Sequence, residues 1–134
     1  MAQRRPPDGS VSERRPDADR SVLLAGSDLM ARERIRSAAA HLEMASHSVT
    51  PAELLDALRR QRPDVLVLDL DEGRESLLAE LETARSEGLA PARVLGFYSH
   101  VDAELGRAAE RADCKAVRRG RFWASLGDLL AATD

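Results

Sequence analysis

The sequence predicts an α/β fold, with five parallel strands in one sheet and helices on both of its faces. One observation is the run Pro63-Asp64-Val65-Leu66-Val67-Leu68-Asp69-Leu70, which is apolar throughout and ends on an aspartate. A strand with no polar alternation must be covered on both faces, the habit of parallel sheets flanked by helices. The other is rhythm: segments of strand and helix character alternate five times, as in a parallel sheet joined by right-handed crossovers.

Residues 1–20 read as a disordered leader, because Arg4, Arg5, Pro6, Pro7, Glu13, Arg14, Arg15 and Asp17 leave almost nothing apolar to bury. The folded domain is expected over 21–134. Val22-Leu23-Leu24-Ala25 forms a first buried strand, and Gly26-Ser27-Asp28 turns the chain into a helix. That helix is expected to bury Leu29, Met30, Ile35, Ala38, Ala39 and Leu42. A weaker strand spans 44–49. Thr50-Pro51-Ala52-Glu53 is a capping-box start with proline at the first helical position, and Leu54, Leu55 and Leu58 are the stripe that follows. After the Asp69 strand, Leu77, Leu78 and Leu81 mark a third helix over 76–85. Val94-Leu95-Gly96-Phe97-Tyr98 is a fourth strand, 102–112 a fourth helix and Lys115-Ala116-Val117 a short fifth strand. Phe122, Leu126, Leu129 and Leu130 place one final helix.

Composition excludes several classes. The 134 residues are 43% hydrophobic with four aromatics, enough for one Leu/Val/Ala core and little more. A net charge of -3 speaks against general nucleic-acid or membrane binding. Cys114 is the single cysteine, so neither a disulfide framework nor a paired-cysteine metal site is expected. No apolar stretch reaches the length of a membrane span or signal core, and a cytoplasmic protein is the expectation. His41 and His47 have no partners at metal-ligand spacing.

Five βα units, an aspartate ending the third strand and a hydroxyl residue near the end of the fourth resemble the response-regulator receiver domain, over Val22 to Leu130. The resemblance implies a flavodoxin-like (βα)5 three-layer sandwich, with Asp69 at the phosphoacceptor position. Receivers hold Mg²⁺ with an acidic pair after the first strand, where this chain has Gly26 and Ser27, neither able to supply a negative charge. Asp28 and Asp71 are the candidates for a makeshift site with Asp69, although Asp28 also suits the N-cap of the first helix. Aspartates restored at Gly26 and Ser27 are expected to create Mg²⁺ affinity. On the fourth strand, ungapped matching sets Tyr98 at the hydroxyl position, with Ser99 one place later. The family's strand-ending lysine and proline are replaced by Arg118-Arg119-Gly120-Arg121. Arginine is a planar fork suited to static pairing with carboxylates. Arg118, or Arg119 if the strand runs one residue longer, is therefore a candidate permanent clamp on Asp69.

Two readings follow. The first is an atypical, stand-alone receiver-like module, not an enzyme and with no cofactor, that acts by protein–protein contact with another signalling protein independently of phosphorylation. Homodimerisation is compatible with it. The alternative is a phosphoryl-accepting response regulator using Asp69, with Mg²⁺ at Asp28 and Asp71. Lys115, Arg118, Arg119 and Arg121 also form a basic cluster, but no aromatic platform is interleaved to support nucleic-acid binding. Ser99 beside His100 lacks a nucleophile-elbow pattern.

Overall fold

The structure, a computed structural model, describes residues 20–100 and 102–132. The leader expected over 1–20 lies, except for Arg20, outside the described residues. In chain order the elements are β1 (Ser21–Ala25), α1 (Leu29–His41), β2 (Ala45–Val49), a 3-10 turn (Pro51–Glu53), α2 (Leu54–Arg60), β3 (Val65–Asp69), α3 (Arg74–Ser86), β4 (Arg93–Tyr98), α4 (Ala103–Arg111), β5 (Lys115–Arg118), α5 (Arg119–Ala124) and α6 (Leu126–Ala131). The strands form one sheet in the order β2-β1-β3-β4-β5, and every pairing is parallel. This is the parallel sheet that the alternation predicts, in the flavodoxin-like (βα)5 sandwich that the resemblance implies.

Strand alternation divides the core into two layers. Leu66, Leu68 and Leu70 point to one face, where they meet Leu54 and Leu58 of α2, Leu77, Leu78 and Leu81 of α3, and Leu105 of α4. Val65 and Val67 point to the other, among Ala31 and Ile35 of α1, Phe97 of β4, Phe122 of α5 and Leu130 of α6. All five residues of β3 are buried, as its unbroken apolar run requires. Because the order reverses between β1 and β3, a crevice opens beyond their carboxyl ends, where ligands of such sheets bind. Asp69 closes β3 at that point.

Three local expectations change. The buried stripe of α1 is Ala31, Ile35 and Ala39, whereas Leu29 and Met30 are 72% and 64% exposed. Within the same first turn Ala31 is buried, so the core-facing stripe begins one residue after Met30. The capping box begins with a 3-10 turn before α2, the Glu53 carboxylate accepting the Thr50 amide at 3.0 Å. The single final helix is instead two short ones meeting at Ser125, whose φ of −112° and ψ of 15° depart from helical values. Gly120, Ser125 and Gly127 are poor helix formers, so this segment follows the core contacts of Phe122, Leu126 and Leu130 rather than its own propensity.

Candidate functional site

The site is built around a turn that Asp69 itself organises. Its backbone carbonyl accepts the amides of Glu72 and Gly73 at 3.2 and 3.0 Å. Its carboxylate Oδ1 accepts those of Asp71 and Glu72 at 3.1 and 3.2 Å. This is the local side-chain bonding for which aspartate is favoured in turns. The side chain is only 4% exposed. Burial raises the Asp69 carboxyl above the usual carboxylate range; the Arg119 guanidinium and the two amides oppose the rise without cancelling it.

Alternation decides which residues face Asp69. Phe97 pairs with Asp69 in register and sits in the same layer of the core, while Tyr98 packs into the opposite layer. Ser99, two residues beyond Phe97, returns to the Asp69 side, as Arg119 does two residues beyond Val117. Tyr98 and Arg118, paired in register, instead line a groove of about 390 Å³ with Lys115, Arg121, Ser125 and Leu129. Of the two clamp candidates, therefore, Arg119 and not Arg118 reaches the site. β5 runs one residue longer than its apolar core suggests, through Arg118. Among the described residues Arg118 makes no ion pair.

Arg119 lies at the centre of the acidic residues. Its Nη2 donates to Asp28 Oδ2 at 3.0 Å and its Nη1 to Asp71 Oδ2 at 2.9 Å, while Nη1 stands 3.9 Å from Asp69 Oδ1. The guanidinium carbon lies 4.8 Å from the centroid of the Phe97 ring and 5.9 Å from that of Trp123, a cation–π seat that fixes its plane. Asp28 divides its carboxylate: Oδ2 holds Arg119, and Oδ1 caps α1 through the amides of Met30 and Ala31 at 2.9 and 3.4 Å. The cap and the site residue are one side chain.

Ser99 bonds Asp71 rather than Asp69. Its amide donates to Asp71 Oδ1 and its hydroxyl to Oδ2, each at 2.7 Å. Partial burial pushes the Asp71 carboxyl up, but these two bonds and the one from Arg119 outweigh it and leave it below the ordinary range. Nearby, Arg74 at φ +47° pairs with Asp102, the N-cap of α4, at 2.6 Å. The β3–α3 and β4–α4 loops are thus tied together twice.

The positions that would carry the acidic pair are otherwise occupied. Ser27 donates its amide and hydroxyl to Glu72, both at 2.8 Å. A Cβ placed on Gly26 would lie 2.8 Å from Asp69 Cβ, which is anchored to the backbone and cannot swing away. The expected gain of Mg²⁺ affinity from Gly26→Asp therefore meets a steric obstacle first. Gly26→Ala alone should lower the unfolding free energy by about 1–3 kcal/mol, measured by urea denaturation; a neutral effect would show that Asp69 and its turn yield freely. Asp28, Asp69 and Asp71 do come together, but around a guanidinium. Among the described residues no three Asp, Glu, His or Cys side chains assemble in a metal-holding arrangement. With two of the three carboxylates bonded to Arg119, this donor set does not fit a hard divalent ion, which needs several free oxygens.

Sequence reasoning reached Asp69, Asp28, Asp71 and Ser99 but missed Glu72 as the partner of Ser27. No pattern in the sequence signals that pairing, which arises from the tight turn on Asp69.

No family model matches the chain, and no curated protein matches it in sequence. Solved structures do match in shape. A response regulator from Thermotoga maritima superposes with a TM-score of 0.66 at 15% identity, covering 84% of this chain and 98% of its own. The chemotaxis protein CheY4 of Vibrio cholerae gives 0.71 at 12% identity, covering 86% of this chain and 98% of its own. At such identities the likeness is one of fold: over nearly all its described length, this chain is folded like a response-regulator receiver domain.

Proposed function

We propose that this protein is a receiver-shaped signalling module that acts by protein–protein contact with another signalling protein, without phosphorylation of Asp69 and without Mg²⁺. The observation that carries the reading is Arg119. Acceptance of a phosphoryl group by a carboxylate needs a divalent cation to offset charge on the incoming oxygens. Here a covalently attached cation bonds Asp28 and Asp71 and stands 3.9 Å from Asp69. The neutral Gly26 and Ser27 support the same reading, as does Ser99, whose hydroxyl is directed to Asp71. Asp69 then serves the fold, through its turn, more than it serves as a nucleophile.

The test is amide-resolved NMR with Mg²⁺ and then beryllofluoride, a phosphoryl mimic. Expected is a folded spectrum that neither addition changes near Asp69. Shifts converging on Asp69, Ser99 and α4 would instead establish the phosphoryl-accepting response regulator. A second arm uses Asp69→Asn. The Asp69 carboxyl is raised in the fold, so the stability linked to it is full below the usual carboxylate range and is lost as pH rises through the raised value. The neutral amide removes that loss. Asp69→Asn should melt above the native chain at pH 7, with the gap closing towards pH 4, and should keep partner binding.

A further inference from the structure

We infer that the outer edge of β2 is a docking site for an extended, acidic segment of the partner protein, which adds to the sheet as a sixth strand and sets its carboxylates against Arg32 and Arg36. Resting on the protein–protein contact proposed above, this places that contact two strands away from β3 and gives the partner a chemistry.

The register decides which main-chain groups of β2 are free. The Ala45 amide donates to the Arg20 carbonyl at 3.0 Å, and the Val49 carbonyl accepts the Gly26 amide at 2.9 Å. A strand residue turns its N–H and C=O to one side, and its neighbours turn theirs to the other. Ala45, His47 and Val49 therefore bond β1, while Ser46 and Ser48 direct both groups out of the sheet. β2 is the last strand on its side, and among the described residues nothing bonds these four groups. Native sheets blunt such an edge with lysine, proline or a bulge. The opposite edge has Lys115 and Arg118 in β5, whereas Ala45-Ser46-His47-Ser48-Val49 has none of these devices and runs in unbroken register.

The groove beside this edge supplies a preference for acids. Ser46 and Ser48 pair with Val22 and Leu24, whose layer of the core is covered by α1. Being small, they leave a groove of about 310 Å³ between the strand and Arg32 and Arg36 of that helix. Residues four apart share a helix face and stand about 6 Å apart along its axis. Alternate side chains of an added strand stand about 6.6 Å apart, so two carboxylates at i and i+2 match the two guanidiniums. Arg32 makes no ion pair among the described residues, and Arg36 pairs only with exposed Glu33 on its own helix. Main-chain bonds then supply affinity, and the arginine pair selects an acidic strand.

The test titrates the acetylated, amidated peptide Val-Glu-Val-Glu-Val into the native chain, following the Ser46 and Ser48 amides by NMR shift and hydrogen exchange. Both amides should shift and exchange roughly tenfold more slowly at saturation, with affinity falling as salt rises. A peptide with lysine in place of glutamate should bind roughly tenfold more weakly, as should the acidic peptide to Arg32→Ala combined with Arg36→Ala. Ser48→Pro removes an outward N–H and no bond to β1, so it should keep the fold and lose roughly tenfold in peptide affinity. Ser46→Ala with Ser48→Ala removes only hydroxyls and should bind as the native chain does. Loss of binding in that variant would overturn the inference, because the hydroxyls and not the main chain would make the contact. Slow exchange of both amides in the free protein would also overturn it, since a second copy or residues 1–19 would already cover the edge. So would shifts at Arg32 and Arg36 without amide protection, the mark of a general polyanion patch. A native chain silent to Mg²⁺, beryllofluoride and the peptide would remove only this inference. A native chain that responds to beryllofluoride would remove the proposed function.

Discussion

Arg119→Ala should destabilise the protein by about 1–2 kcal/mol at pH 7, the loss of charge-assisted bonds to two partly exposed carboxylates discounted for solvent screening. The side chain is 29% exposed and contacts Asp28, Asp69 and Asp71, whose side chains are 39%, 4% and 28% exposed. Without it three carboxylates face one another with no cation between them, and the Phe97 ring loses its cover. The pH dependence has a definite sign. In the native fold the Asp71 carboxyl lies below its ordinary value, so its contribution is present above the usual carboxylate range and is lost as pH falls through the folded value. The variant loses part of that contribution, while its crowded carboxylates bind protons more readily than in the native fold. The deficit should therefore shrink as pH falls to 4, by urea denaturation followed through Trp123 fluorescence. Arg119→Lys should recover only part of the loss, since an ammonium cannot bond Asp28 and Asp71 with one planar fork. A deficit independent of pH would show that packing, not charge, is what Arg119 contributes.

Much of this architecture is legible in the sequence because it is written in apolar periodicity. The β3 run has one interpretation in a chain of this length, and the leucines of α2 and α3 fall where a sheet-covering helix needs them. The exposure of Leu29 and Met30 was less legible, because an apolar residue can be assigned to either side of a helix's buried stripe when the stripe is read from its small alanines. The site was legible in its residue types but not in its connections. Asp69, Asp71 and Ser99 follow from position on the strands. The choice between Arg118 and Arg119 depends on strand parity: Val117 packs in the Phe97 layer, which sends Arg118 to the groove beside Tyr98 and returns Arg119 to the carboxylates. Sequence alone leaves the end of a four-residue edge strand uncertain by one position, and one position reverses the face. The pairing of Ser99 with Asp71 depends on the tight turn on Asp69, a tertiary feature with no sequence pattern of its own.

Phe97→Ala should have the largest effect of any single change, a loss of about 3–5 kcal/mol. The ring is fully buried and packs against Phe122 and Trp123 with centroids 5.0 and 5.1 Å away, so three of the chain's four aromatics form one cluster. It is also the floor under Arg119. Phe97→Leu separates the two roles. A leucine nearly fills the space and should restore most of the stability, but it offers no π face to the guanidinium. In a double-mutant cycle, Phe97→Leu with Arg119→Ala should then show a coupling of about 0.5–1 kcal/mol, the worth of a partly exposed cation–π contact. No coupling would mean that the carboxylates alone hold the guanidinium in place. A measurable one would make the hydrophobic core a part of the site: the residue paired with Asp69 across the sheet would be supporting the cation that neutralises it.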